Sequence, residues 1–520
     1  MIKVYFKKIS VFLLILLLVS QGRAQTNLSQ SEVSKNFDGD VDIKLTATTK
    51  DVQLLPGPKT RVFTYESELI KGQNNNLEKM KGTYLGPIIH VERGQKIRIQ
   101  FENELPRESV IHWHGLHIPP EMDGHPQYAI NKGETYIYQF EVDNRPGTYW
   151  FHPHPDKITG PQVYYGLAGM FIIEGDQQEL PSGEFDRPLV IQDRTFSSNN
   201  QLVYLENNRM AQMMGFLGDR IFVNGAAERE KEVKQATYRF RILNGSNSRI
   251  YKLGWSGGSD LKVIGTDGGL LSKPADKPYL MLAPGERVEI WKDFSQYKSG
   301  EKVRLKSLPY DDGASMPMGR MMGGRRPRGI ENGTEVDICS FEISSQSGPV
   351  KELPRNLASV DRFDPGSAIN THSPRKFHFS FERMQWVING ETFEMNEVAE
   401  WEKVQINTTE IWEFINGGGS RGMMGRMMGN MMQMPHPVHI HGLQFQIIGR
   451  DLSNVNRSAW RTLRRGFLDK GWQDTFLLFP GMKTQVIMRF KDFTGKYIYH
   501  CHNLEHEDMG MMRNYKVIGE

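Results

Sequence analysis

Two stretches of this chain are written twice, in the same order. Ile111-His112-Trp113-His114-Gly115-Leu116 returns as Val438-His439-Ile440-His441-Gly442-Leu443. Gly147-Thr148-Tyr149-Trp150-Phe151-His152-Pro153-His154 returns as Gly495-Lys496-Tyr497-Ile498-Tyr499-His500-Cys501-His502. Such a repeat constrains the fold more than local propensity does, because both copies must form one supersecondary unit of the same shape. The surrounding text is strand-rich. Ile43 to Thr46, Arg61 to Tyr65 and Lys96 to Phe101 are short β-type runs parted by turns, the spacing of β-sandwiches. Residues 185–345 read alike without any histidine, and Pro284-Gly285-Glu286-Arg287-Val288 has the same turn-then-strand form as Pro480-Gly481-Met482-Lys483-Thr484. The expectation is an all-β chain of three sandwiches: residues 41–178, 185–345 and 376–520, with a linker over 346–375.

A length of 520 residues is too great for a single hydrophobic core. Residues 1–24 read as a cleaved signal peptide: Lys3, Lys7 and Lys8 precede the apolar run Val11 to Val19, and Gly22-Arg23-Ala24 offers a cleavage site. The run is too short for a bilayer core of ~30 Å, and no cysteine follows it to carry a lipid. A periplasmic or secreted protein is expected. Cleavage removes four positive charges and no negative ones, turning the net +3 into −1. That balance suggests neither a nucleic-acid nor a membrane-surface partner, and a monomer is expected. The two cysteines, Cys339 and Cys501, are not read as a disulfide. Cys339 lies in an alternating apolar stretch and is expected to be a buried strand residue.

The histidines carry the chemistry. His112/His114, His152/His154, His439/His441 and His500/His502 are four His-x-His pairs. Alternate residues of a strand face one side, so each pair presents two imidazoles together. One such pair is weak evidence; four in two repeated registers suit borderline metals such as copper or zinc. Cys501 points to the opposite strand face from His500 and His502, and His436, His506 and Met511 complete a set of two imidazoles, a thiolate and a thioether. That is the ligand set of a blue-copper electron-transfer site, and a methionine ligand argues against zinc.

On these motifs the chain resembles the three-domain multicopper oxidases, the group of laccases, bilirubin oxidases, spore-coat oxidases and periplasmic cuprous oxidases. The resemblance runs from about residue 45 to the C-terminus, and the segment from His500 to Met512 is especially similar to the bacterial cuprous oxidases. It implies three cupredoxin-like Greek-key domains and four copper ions. His436, Cys501, His506 and Met511 would hold a type 1 copper, and His112 and His439 a type 2 copper. His114, His152, His154, His441, His500 and His502 would hold a type 3 pair. It also implies proton-handling roles for Asp123 and Glu507, for each of which a solvated surface acid is the alternative. Asp474 is a candidate for orienting a ligand histidine. His90, His117, His125, His372 and His378 match no ligand motif and read as surface or satisfied polar residues.

Residues 417–434 hold Met423, Met424, Met427, Met428, Met431, Met432 and Met434, and a second cluster holds Met316, Met318, Met321 and Met322. Methionines commonly fill cores. Here intervening glycines weaken a helix, and thioethers suit Cu(I). By resemblance, Met434 matches a substrate-binding methionine of the cuprous oxidases, while Met432 stands where that family has an aspartate. The expected activity is oxidation of Cu(I) to Cu(II), as in copper detoxification, coupled to reduction of O2 to water. The alternatives are a laccase-type oxidase of phenols and aromatic amines, a copper-binding protein without chemistry, and an oxidase of Mn(II) or Fe(II).

Overall fold

The computed structural model describes residues 37–175, 179–206, 208–227, 229–314, 329–417 and 433–519. The expected signal peptide, Met432, the cluster Met316 to Met322 and most of the methionine-rich stretch lie outside these residues. Among the described residues no helix is long and apolar enough to cross a membrane.

The chain is built of three β-sandwiches, and the repeat is visible strand by strand. In the first, Ile88–Glu92 runs parallel to Gly169–Glu174, which pairs antiparallel with Gly147–Pro153, which pairs in turn with Ile111–His114. In the last, Lys403–Gln405, Met512–Ile518, Gly495–Cys501 and His436–Ile440 follow the same order and directions. The middle sandwich repeats it a third time with Glu230–Gln235, Val336–Ser347, Lys302–Ser307 and Tyr251–Trp255. Each of these sheets faces a second one. In the first and last sandwiches the orders are Thr60–Lys71, Val41–Val52, Lys96–Asn103, Thr135–Glu141, and Gln385–Ile388, Arg375–Glu382, Thr409–Asn416, Lys483–Arg489, Gln446–Asp451.

The strand signals are what such sheets require. In Val41–Val52, residues Val41, Ile43, Leu45 and Ala47 are buried against Ile97, Ile99 and Phe101, the period of two that turns alternate side chains inward. The last sandwich is filled by aromatic rings, with Phe377 4.6 Å from Trp412 and 4.9 Å from Phe414 between ring centroids. Burying a large apolar side chain of this kind contributes roughly 1.5–3 kcal/mol. Cys339 is buried in the strand Val336–Ser347, as its alternating surroundings indicate.

The ligand-bearing strands of the first and last copies sit in one register. His112 is opposite His152, and His439 is opposite His500. The equivalence therefore extends beyond sequence text to which residue faces which.

Candidate metal centre

Each His-x-His pair occupies strand residues or the residue next to a strand end, so the period of two aims both rings the same way. The first and last sandwiches bring their histidine faces together. His112 and His439, 327 positions apart in the chain, have Nε2 atoms 3.2 Å from each other. His441 Nε2 lies 3.1 Å from His500 Nε2, and His154 Nε2 lies 3.4 Å from the same atom. His114 Nδ1 lies 3.4 Å from His152 Nε2. All these rings are buried.

Hydrogen bonds determine where the lone pairs point. His112 Nδ1 lies 2.7 Å from the Asp123 carbonyl and His439 Nδ1 2.8 Å from the Asp474 carbonyl. A carbonyl only accepts, so both Nδ1 atoms carry the proton and both Nε2 atoms are bare. His441 Nδ1 donates to Asp123 Oδ2 at 2.8 Å, and His500 Nδ1 to the Cys501 carbonyl at 3.1 Å. His152 Nδ1 donates to the Pro153 carbonyl at 2.9 Å. The facing atoms across the centre are thus unshared lone pairs at near-contact distance.

Protonation does not relieve this. Burial drives the pKa of His112, His114, His439, His441 and His502 well below the usual imidazole value, with neighbouring imidazoles adding to the effect. His152 falls to about 3 and His154 to about 4 for the same leading reason. Both nitrogens of His502 and Nδ1 of His154 are buried with no hydrogen-bond partner. Neutral imidazoles arranged in this way fit cations, and three groups emerge with donor atoms all within 4.8 Å of one another: His112/His114/His439, His114/His152/His502 and His154/His441/His500.

A second group lies across the same strand. His436 Nδ1 is 3.3 Å and His506 Nδ1 3.5 Å from Cys501 Sγ, and Met511 is fully buried, its carbonyl accepting from the Cys501 amide at 3.0 Å. Burial raises the pKa of the Cys501 thiol, so it binds as a thiolate only with a cation beside it. His436, pushed down to about 3 by burial, has an unpartnered Nε2. Two imidazoles, a thiol and a thioether suit a soft redox metal.

The acids also converge here. Asp123 is buried between His112 and His441, and burial pushes its pKa well up. Glu507 lies 3.0 Å from His500 Nδ1 and 3.4 Å from His154 Nε2. Burial acts to raise its pKa, but His154 and His500 prevail and lower it. Asp474 lies with Oδ1 3.1 Å from His114 Nε2.

Three neighbours escaped sequence reasoning. Trp386 stacks on His506 with ring centroids 4.4 Å apart, and Trp386 Nε1 donates to the Met213 carbonyl at 2.7 Å. That carbonyl also accepts from His506 Nε2 at 3.1 Å. Met213 lies in the last turn of a short helix of the middle sandwich, Arg209–Met214, and no local pattern links it to His506. Arg287, paired with Asp474, was visible only as part of a repeated turn. Of the histidines outside the motifs, His125 is buried and bonded to Asn514 Oδ1 at 2.8 Å.

Two multicopper oxidase family models match residues 62–178 and 368–519. A multicopper oxidase of Staphylococcus epidermidis is 32% identical over 455 residues, covering 87% of this chain and 86% of its own. The chain belongs to the multicopper oxidase family. A laccase of Bacillus subtilis is 30% identical over 494 residues, with 88% of each chain covered. The crystal structure of the McoA multicopper oxidase from the hyperthermophile Aquifex aeolicus matches with a TM-score of 0.75 at 33% identity, over 92% of this chain and 97% of that one. This multicopper oxidase is accordingly an oxidoreductase with copper cofactors, and its three sandwiches are cupredoxin-like.

Proposed function

We propose that this multicopper oxidase oxidises Cu(I) to Cu(II) outside the cytoplasm, as in copper detoxification, and reduces O2 to water. In this reading His436, Cys501, His506 and Met511 hold a type 1 copper. His112 and His439 hold a type 2 copper, and His114, His152 and His502 with His154, His441 and His500 hold the type 3 pair. The four-copper set supplies one-electron acceptance from substrate and the four-electron reduction of O2. Overall, four Cu(I) ions each lose one electron, and O2 takes four electrons and four protons to give two waters. Cys501 is joined by the backbone to His500 and His502, so one strand connects the two groups. Asp123 is suited to holding a proton beside them, its Oδ1 buried without a hydrogen-bond partner, and Glu507 to accepting one, as a carboxylate 3.0 Å from His500 Nδ1. The charged and apolar start of the chain supports export.

The observation that carries the substrate assignment is the set of methionines packed into the core that holds His436, Cys501 and His506. Met434 stands two residues before His436 and is 7% exposed. Met213 and Met214, from the middle sandwich, pack against the apolar cluster that contains Trp386, Met434, Cys501 and Met511. Methionines from two sandwiches thus pack into the cluster that contains Cys501 and Met511. The test measures oxygen uptake with stabilised Cu(I) and with a bulky phenol, before and after deletion of residues 418–432. The cut ends are close, since a Cβ on Gly417 would stand 2.5 Å from Gln433 Nε2. Cu(I) turnover is expected to fall about tenfold, or ~1.4 kcal/mol, while phenol turnover holds or rises. Retained Cu(I) turnover would overturn the assignment in favour of a laccase-type enzyme.

A further inference from the structure

The middle sandwich carries no histidine, yet its turn Pro284-Gly285-Glu286-Arg287 lies against the proposed ligands. Gly285 has φ +85°, and a Cβ there would stand 3.1 Å from His114 Cε1 and from His502 Cδ2 and Nε2. Two residues on, Arg287 is buried with all five guanidinium N–H groups in use. Nε donates to the Thr148 carbonyl of the first sandwich at 3.0 Å. Nη1 donates to the Gly285 carbonyl at 3.1 Å and to Asp474 Oδ1 of the last sandwich at 2.6 Å. Nη2 donates to the Asp267 carbonyl at 3.1 Å and to Asp474 Oδ2 at 2.6 Å. One side chain therefore ties three sandwiches together at one point.

What it grips is the residue that orients two ligands. Asp474 reaches His114 Nε2 through Oδ1 at 3.1 Å, and its carbonyl accepts from His439 Nδ1 at 2.8 Å. Thr475 Oγ1 lies 2.9 Å from His114 Nε2 and 3.1 Å from His439 Nδ1. Asp267 braces both sides: Oδ1 accepts from the Arg287 amide at 2.7 Å, and Oδ2 from the amides of Asp474 and Thr475 at 3.3 and 3.2 Å.

We propose that Arg287 is a positioning residue of the trinuclear copper pocket, contributed by the sandwich that supplies no ligand. A carboxylate held through both oxygens by a guanidinium fork cannot rotate, so Oδ1 stays aimed at His114 and the 474–475 backbone stays set for His439. Without the guanidinium, the two buried carboxylates lose their shared countercharge, and Asp474 is free to turn. A lysine does not replace it, because an ammonium is a point charge without the planar fork. The middle copy of the repeat is thereby required for copper geometry as well as for the fold.

This inference rests on the proposed copper ligands. The test uses the full-length holoenzyme and compares Arg287→Lys with Arg249→Lys. Arg249 is an equally buried arginine of the same sandwich, paired with Asp193 at 2.8 Å. Copper per chain, the type 2 electron paramagnetic resonance signal and the blue absorption band are measured for each. Arg287→Lys is expected to weaken type 2 copper retention about tenfold or more or to shift its hyperfine splitting, with the blue band kept, while Arg249→Lys leaves both signals unchanged. A native type 2 spectrum in Arg287→Lys, or an equal loss in Arg249→Lys, overturns the proposal. Should Arg287→Lys fail to fold, Asp267→Asn keeps the fork but loosens its brace, and a type 2 signal identical to the parent's overturns the proposal just as well. An unsubstituted protein without any type 2 signal after copper loading would instead defeat the ligand assignment.

Discussion

Gly124 offers a direct way to ask whether the turn carrying Asp123 holds two histidines in place. It is buried with φ +88°, and a Cβ there would lie 2.6 Å from His112 Cα and closer still to the Ile111 carbonyl oxygen. Gly94 has nearly the same backbone, φ +89°, with nothing within 4 Å of its Cβ position. The pair separates backbone strain from steric displacement. At Gly94, alanine meets a left-handed conformation costing about 1–2 kcal/mol, offset by about 0.4–1 kcal/mol from the stiffer unfolded chain. At Gly124 the turn must also retreat by on the order of 1 Å to restore ordinary contact distances. That stretches the His112–Asp123 carbonyl bond, now 2.7 Å, and the His441–Asp123 carboxylate bond, now 2.8 Å, beyond hydrogen-bonding range. Each buried donor left unpaired costs about 1–3 kcal/mol, so Gly124→Ala is expected to cost roughly 2–8 kcal/mol in all.

In a domain of this size each kcal/mol lowers the melting temperature by about 2–4 °C, so Gly124→Ala should melt at least about 4 °C below the parent. It should also lose copper affinity by about 10–100-fold, because the groups that orient His112 and His441 have moved. Gly94→Ala should shift melting by only a few degrees and keep full copper. Calorimetry and copper analysis of the two variants decide the matter. If both melt within about 1 °C of each other with equal copper, the coupling of the turn to the ligands is refuted.

Two further outcomes follow from buried groups of known environment. Glu289 accepts from Arg239 at 3.0 Å and from Arg241 at 3.1 Å; burial acts to raise its pKa, but the two arginines prevail and lower it. A depressed carboxylate pKa stabilises the fold above the unfolded value of about 4.3 and loses that contribution as pH falls. Glu289→Gln should therefore cost about 3–5 kcal/mol at neutral pH, and chemical unfolding should show the gap from the parent narrowing below pH 5; a gap that widens on acidification would contradict the sign. Met511→Leu conserves volume at a fully buried position and should cost less than about 1.5 kcal/mol, while shifting the potential of the blue site in a redox titration; an unchanged potential would remove Met511 from the ligand set.

Much of the site is legible in the sequence because strand geometry is periodic. A His-x-His pair on a strand must show both rings on one face, and a cysteine between them must show its sulfur on the other. The repeat carries the fold in the same way: Pro153 in one copy and Cys501 in the other occupy matching places, so the thiol-containing group belongs to the last sandwich alone. Less legible were residues whose role depends on packing between sandwiches. Met213 reaches His506 through a backbone carbonyl, which any residue possesses, and Trp386 reaches it by stacking from a separate hairpin.

By itself, then, the sequence determined the strand-rich repeat, the pairing of imidazoles and the opposite facing of Cys501, since each depends on residue type and on a spacing of two. Only the tertiary structure decided which pair faces which, that His112 meets His439, that Asp123 sits between two rings, and that Arg287 of the histidine-free copy clamps Asp474. Those relations arise where three domains bury one another's polar groups. There the low dielectric makes each unpaired buried donor or charge costly, and chain order does not name its partner.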